Sequence, residues 1–256
     1  MTVSHLRRAW QEATAVAIRK ETARVVTIGF HVPTWTGHLA GQHVDVRLTA
    51  PNGYQVERSY SVASAAGTGN DVEITVERID EGEVSPFLTA ELALGDVIEL
   101  RGPIGGYFIW DPDPTPPLLL VGGGSGVVPL MSILRTRDKR QRKIPARLLY
   151  SSRTAADIIY RQELDRFQEA RDGFYLVHTL TRAAPSEWQG ERRRVDREML
   201  AARGFSAAEA PQIFVCGPTA FVETVVDDLL ALGHKESNIR TERFGPTGPD
   251  DRAKLT

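Results

Sequence analysis

Residues 118–129 read LLLVGGGSGVVP. A run of large apolar residues stops at three glycines, and a fourth glycine precedes a segment with helical character over 127–137. A buried strand that turns through glycines into a helix lets the backbone approach a diphosphate, and the helix N-terminus adds free N–H groups and positive dipole. A tight strand-to-helix turn with no ligand would read the same way, so the loop alone is a weak signal. No Lys-Ser/Thr pair follows, which excludes a Walker A loop. Downstream the grammar repeats. ARLLYSS is a strand and 160–170 a helix, FYLVHTLT a strand and 195–202 a helix. QIFVC is a further strand, 219–232 a long amphipathic helix and NIRTERF a last strand. Strands alternating with helices predict an α/β parallel-sheet nucleotide-binding domain over 118–246.

Upstream the period changes to two. Val26, Ile28 and Phe30 form one alternating set, Val44, Val46 and Leu48 another, and Val72, Ile74 and Val76 a third; a short apolar run spans Val97 to Leu100. Glycine, proline and Asn-Gly turn signals separate them, which predicts an antiparallel sandwich or barrel over 8–112. One helix is expected at Ser85–Leu94, with Ser85 as N-cap, Pro86 next and Gly95 past its end. The proline-rich DPDPTPP at 111–117 reads as the domain boundary, with 113–117 as a stiff linker unable to join a sheet ladder.

Composition narrows the function class. A chain of 256 residues with 41% hydrophobic and 25% charged residues is an ordinary folded protein, and its net charge of −2 argues against nucleic acid as a partner. The basic run RTRDKRQRK at 135–143 reads first as a solvated helix end and second as a docking patch for an acidic partner. A single cysteine, Cys216, excludes an internal disulfide framework and a cysteine-ligated iron–sulfur cluster. The six histidines show no metal-ligand spacing, so no metal site is expected. No apolar run reaches membrane-spanning length and the N-terminus lacks a signal-peptide segment, so the expectation is a cytoplasmic enzyme without membrane insertion.

The strand after the glycine loop ends in Ser151, Ser152 and Arg153, with no carboxylate for a ribose 2′-hydroxyl. An arginine there suits a 2′-phosphate, and Arg182 and Arg194 lie at the same sheet edge, which favours NADP(H). Cys216, followed by Gly217 and Pro218, stands at another strand end; a buried structural thiol is the commoner role for such a residue.

The motifs RSYS (58–61), GEVS (82–85), GPIGGYF (102–108), GGGSGVVP (122–129), YSSR (150–153), CGP (216–218) and ERF (242–244) occur in the order of a known family. From about Ala13 to Phe244 the chain resembles the ferredoxin–NADP⁺ reductase superfamily, especially the reductase modules of bacterial oxygenases and flavohaemoglobins. The resemblance implies an N-terminal six-stranded antiparallel FAD-binding β-barrel, a C-terminal NADP(H)-binding α/β domain and a tail at 247–256. It implies that Arg58 holds a flavin phosphate, that Tyr60 packs on the isoalloxazine ring with Ser59 beside it, and that Ser61 sits near flavin N5. The Val76 backbone would hold the ring's pyrimidine edge, and Gly82, Glu83, Val84 and Ser85 would cap the flavin diphosphate. Ser125, Gly126 and Pro129 would hold the NADPH diphosphate, and Ser152, Arg153, Arg182 and Arg194 its 2′-phosphate end. Cys216, Gly217 and Pro218 would line the nicotinamide, with Glu242 and Phe244 completing the site. The implied function is hydride transfer from NADPH to FAD, then electron transfer to a separate ferredoxin- or flavodoxin-type acceptor, because no iron–sulfur cysteines are present. A reductase of free flavin, a ferric chelate or a quinone, or a non-catalytic flavin-binding redox sensor, are the alternatives. Oligomeric state is not legible.

Overall fold

The period-two segments of the first half pair into one antiparallel sheet. The computed structural model describes residues 9–67, 69–112, 116–139 and 143–245. The strands are β1 (Gln11–Lys20), β2 (Val25–His31), β3 (His43–Thr49), β4 (Gln55–Ser61), β5 (Asp71–Glu77) and β6 (Val97–Ile104), in the order β4-β3-β6-β1-β2-β5. Val62 bridges Ile74, and the Ala63 N–H donates to the Glu73 carbonyl at 2.7 Å, so the sheet closes where β4 ends against β5. Inside lie Ile28, Phe30, Val44, Val46, Val72, Ile74 and Leu100, all fully buried. Strand β1 escaped the sequence reading because the residues it buries are Ala13 and Ala15, while Val16 and Ile18 face outward.

The barrel helix, α1 (Val84–Ala90), corrects an expectation. Its N-cap is Glu83, without a side-chain cap, and it ends four residues earlier than predicted. Ser85 lies inside the first turn, where its Oγ accepts the Ile79 N–H at 3.0 Å. A hydroxyl two positions past the N-cap serves the preceding loop rather than the helix end.

The second half forms a five-stranded parallel sheet in the order β11-β10-β7-β8-β9. Its elements are β7 (Leu118–Gly123), α2 (Val127–Asp138), β8 (Ala146–Thr154), α3 (Arg161–Glu169), β9 (Phe174–Ala183), α4 (Arg197–Arg203), β10 (Gln212–Pro218), α5 (Thr219–Ala231) and β11 (Ile239–Phe244). Residues 113–115 of the predicted linker and the tail from 246 lie outside the described residues. Pro117 lies just ahead of β7, outside the sheet ladder. Proline lacks a donor but keeps its carbonyl, and that carbonyl accepts the Gln212 N–H at 2.9 Å.

The two sheets share apolar contacts. Val25, Ala40, Ala63, Phe108 and Trp110 of the first half belong to one buried cluster with Leu120, Val127, Met131, Tyr150, Phe214 and Cys216 of the second. Phe108 meets Phe214 edge-on at 5.2 Å between ring centres. Polar ties cross the same junction: Tyr107 Oη donates to the Ile239 carbonyl at 3.2 Å, and the Arg240 guanidinium donates to the Ile109 carbonyl. No described helix is long and apolar enough to cross a membrane.

Candidate active site

The order β11-β10-β7-β8-β9 reverses direction between β7 and β10, and the crevice at such a reversal is where open parallel sheets bind ligands. The residues at the carboxyl ends of these two strands are Gly122–Gly126 and Cys216–Pro218, the glycine loop and the CGP motif. They lie against each other tightly. A Cβ on Gly126 would stand 2.2 Å from the Cys216 carbonyl oxygen and 2.7 Å from Gly217 Cα, so only glycine fits. Gly124 adopts φ +57°, the left-handed turn that swings the chain into α2. The N-terminus of α2 carries no side-chain cap, and its positive pole suits an anion, although the Val127 N–H is already taken by the Gly124 and Ser125 carbonyls and Pro129 has none. Ser125 is half-buried beside them, whereas Pro129 is buried in the helix and shapes the turn.

Across the ladder Cys216 pairs with Glu242 and Pro218 with Phe244. Cys216 is wholly buried; burial, and then the neighbouring Glu242 charge, push its thiol well above the ordinary value. It is therefore a neutral wall and not a thiolate nucleophile. Glu242 is half-buried, but its Oε2 is shut off from solvent and has no hydrogen-bond partner among the described residues. Burial pushes its carboxyl up to about 7. Phe244 packs partly buried against the shared cluster.

The RSYS strand contributes from the barrel side. Arg58 is exposed and its guanidinium makes one described hydrogen bond, to the Glu57 carbonyl at 2.7 Å. Tyr60 lies against the barrel core, and burial pushes its phenol up to about 12 despite the pull of Arg58. Ser59 points to the opposite face, where its Oγ donates to Asp45 Oδ1 at 2.6 Å, so only its backbone is available to a cofactor. Ser61 is buried, and its Oγ has no partner among the described residues. A buried polar atom without a protein partner is completed by a water or a ligand atom. Val76 is fully buried on β5, with its backbone in the ladder beside Val26. In the GEVS segment, Tyr54 Oη donates to the Glu83 carboxylate at 3.2 Å, which draws that charge aside.

At the ends of β8 and β9, Arg153 and Arg182 are exposed and have no partner among the described residues. The ERRR segment resolves into three different roles. Arg192 is held by the Pro185, Ser186 and Trp188 carbonyls, and Arg193 by Asp196, Glu198 and Glu191. Arg194 alone of the three is exposed and unpaired among the described residues. Ser152, beside Arg153, is buried.

Three cations of the basic run at 135–143 are paired, while Lys139 is exposed at the end of α2. Arg135 binds Glu73 and Glu163, and Arg137 is buried against Asp172 and the Ile144 carbonyl. Lys143 pairs with Asp138 at 2.9 Å; Arg140 and Arg142 lie outside the described residues. Sequence reasoning overlooked Arg135 and its neighbours Ser132 and Thr136. The signal was present as a cation in the last turns of a largely apolar helix, but its carboxylate partners are 28 and 62 residues away.

Comparison with known proteins matches residues 16–109 to the family described as oxidoreductase FAD-binding domain, and 120–227 to oxidoreductase NAD-binding domain. A glycine betaine monooxygenase reductase subunit of Chromohalobacter salexigens is 33% identical over 217 residues, 84% of this chain but 58% of its own length. The chain thus spans little more than half of that relative. Ferredoxin–NADP reductase B of Sorangium cellulosum is 33% identical over 243 residues, 91% of this chain and 97% of its own. The flavohem-like FAD/NAD-binding domain of a Vibrio cholerae nitric oxide dioxygenase superposes with a TM-score of 0.80 at 25% identity, covering 94% of this chain and all of that one.

Proposed function

The chain belongs to the ferredoxin–NADP reductase superfamily of FAD- and pyridine-nucleotide-binding oxidoreductases, and on that premise we propose that it oxidises NADPH through bound FAD and passes the electrons to a separate ferredoxin- or flavodoxin-type protein. The observation that carries this reading is a pair of buried oxygens with no partner among the described residues. Ser61 Oγ belongs to the barrel and Glu242 Oε2 to the parallel sheet, and both belong to motifs expected to meet the reacting rings. Bound flavin supplies the hydride-accepting and single-electron chemistry that side chains alone cannot.

The residues of the chain divide the remaining work. Arg58, with its guanidinium exposed, anchors a flavin phosphate, and the uncharged Tyr60 ring offers a flat neighbour for the flavin ring system. Ser61 presents a desolvated hydroxyl to the reacting edge. Gly126 allows the nucleotide diphosphate to approach the backbone over the N-terminus of α2. The Cys216 thiol, neutral and buried, excludes water from the nicotinamide site without competing for charge. Glu242, with a carboxyl near 7, holds a proton at about neutral pH and can release or recover it at Oε2. Arg153, Arg182 and Arg194, exposed and unpaired, supply the positive charge that suits a 2′-phosphate, which supports NADPH over NADH.

The test is the visible spectrum of the pure protein before and after anaerobic NADPH or NADH. A flavin band bleached by NADPH at far lower concentration than by NADH is expected. Absence of a flavin band overturns the reading; equal bleaching overturns the 2′-phosphate assignment alone. Comparing ferredoxin with free flavin as acceptor then separates the protein-acceptor reading from a small-acceptor reductase.

A further inference from the structure

The helix that begins at the glycine loop also holds the chain immediately after Ser61. Residues 63–66 make three hydrogen bonds to one face of α2, and the neighbouring strand β5 adds a fourth. Arg135 Nη1 donates to the Ala63 carbonyl at 2.9 Å, Ser132 Oγ donates to the Ser64 carbonyl at 2.7 Å, and the Ala66 N–H donates to Thr136 Oγ1 at 2.8 Å. In turn Thr136 Oγ1 donates to the Ser132 carbonyl at 2.6 Å, which fixes the hydroxyl that receives Ala66. Positions 132, 135 and 136 are spaced i, i+3, i+4 and therefore share a face. The fourth bond is a second Nη1 contact, to Glu73 at 2.9 Å on β5, next to the Glu73 N–H that donates to Ser64 Oγ at 3.1 Å.

Arg135 is also gripped from the far side. Its Nε and Nη2 donate to the two Glu163 oxygens at 2.8 and 2.7 Å, and its guanidinium lies 5.0 Å over the Tyr160 ring. The Tyr160 hydroxyl donates to Thr75 Oγ1, again on β5. One guanidinium thus joins the segment after β4, strand β5, α2 and α3. Taking such a charge out of water costs stability unless its geometry is exacting, and a solvated helix end would need none of it.

We infer that α2 is the spacer between the two cofactor sites, and that Ser132, Arg135 and Thr136 are positioning residues that hold the backbone after Ser61 at a fixed offset from the glycine loop. The inference rests on the flavin and pyridine-nucleotide reading above. A helix rises about 1.5 Å per residue, so Ser132 lies about 9 Å along the axis from Gly126, and a packed helix leaves that separation little freedom. The anchoring residues assigned above divide by half, Arg58 and Tyr60 in the barrel and the glycine loop with the three arginines in the parallel-sheet half, so loosening the spacer is expected to leave both cofactors bound. Only their mutual placement changes, and a misplacement of about 1 Å at a reacting centre can cost about 100-fold in rate.

The test compares the flavin-loaded wild type with Ser132→Ala/Thr136→Val and with Arg135→Lys. Three quantities are read: amide exchange over residues 62–67, flavin content with the NADP⁺ dissociation constant, and the rate of anaerobic flavin bleaching at saturating NADPH. Faster exchange, unchanged flavin content, a dissociation constant within about twofold and bleaching slowed at least about tenfold are expected. Bleaching within about twofold of wild type, unchanged exchange, or a rate loss matched by lost cofactor affinity overturns the inference. If Arg135→Lys does not fold, the double variant, which keeps the buried ion pairs, decides. Failure of the wild type to bleach refutes the functional reading instead, so the two failures are separate.

Discussion

Replacing Glu242 with glutamine isolates what a buried carboxylate does to this fold. Glu242 lies on β11 across from Cys216, with Oε2 closed to solvent, and burial raises its carboxyl from the ordinary 4.5 to about 7. An acid with a folded pKa above its unfolded value binds its proton more tightly when folded. Stability is therefore present in full below the unfolded pKa and falls as pH rises through the folded one. At about 1.36 kcal/mol per pH unit the displacement is worth about 3.4 kcal/mol, of which about 2.5 kcal/mol accrues between about pH 5 and about pH 8. Glutamine preserves the shape and cannot ionise. The unfolding free energy of Glu242→Gln minus wild type should thus grow by about 2.5 kcal/mol over that interval. His178 slopes the other way: burial lowers its ring from 6.5 to about 4, so stability is lost as pH falls through that window. The two slopes oppose each other in mildly acidic solution, which makes the wild-type profile look flat and the paired difference the informative quantity. Cys216, pushed up by burial and by Glu242, stays protonated throughout and adds no slope. Urea unfolding followed by circular dichroism at matched flavin concentration measures the difference. A difference that does not vary with pH would refute the assignment of a buried, unpartnered carboxylate.

Three other outcomes follow from the site. Ser61→Ala removes a buried hydroxyl that lacks a partner among the described residues, so the flavin-free protein should gain about 1 kcal/mol while flavin bleaching by NADPH slows; a loss of stability in urea unfolding contradicts this. Arg194→Ala should raise KM for NADPH about tenfold and leave NADH unaffected, since one charge-assisted hydrogen bond is worth about 1.5–3 kcal/mol. Equal effects in steady-state assays with the two nucleotides would remove Arg194 from the phosphate site and return Arg192 or Arg193 to consideration. Gly126→Ala places a methyl 2.2 Å from the Cys216 carbonyl, and the neighbouring atoms are backbone. A loss of about 1–3 kcal/mol with weakened NADP⁺ binding is expected in thermal unfolding and nucleotide titration, and normal values for both count against the close packing of the two loops.

Some of this protein was settled by local chemistry. Glycines after LLLV, the change from period two to strand–helix alternation and the ordered motifs identify a barrel followed by a parallel sheet, because each signal depends on residues close in sequence. Strand β1 was not legible, since it buries alanines and exposes its larger residues. The start of α1 was misjudged because Ser85 has two uses, cap or loop staple, and the Ile79 backbone that selects between them is known only in the fold. The same holds for the three consecutive arginines: composition makes them alike, and the carbonyls and carboxylates around them leave only Arg194 unpaired among the described residues.

Periodicity and turn chemistry, acting over short spans, were enough for the two-part architecture and the nucleotide loop, and the flavin came only with the resemblance carried by the ordered motifs. The fold alone reveals that Ser61 and Glu242 carry buried oxygens without partners among the described residues, that the Cys216 thiol is buried and neutral, and that Arg135 is an internal joint rather than a surface cation. The physical reason is common to all three. Desolvation and pairing depend on which distant segments close over a group, and neither is a property of the residue or of its neighbours in the chain.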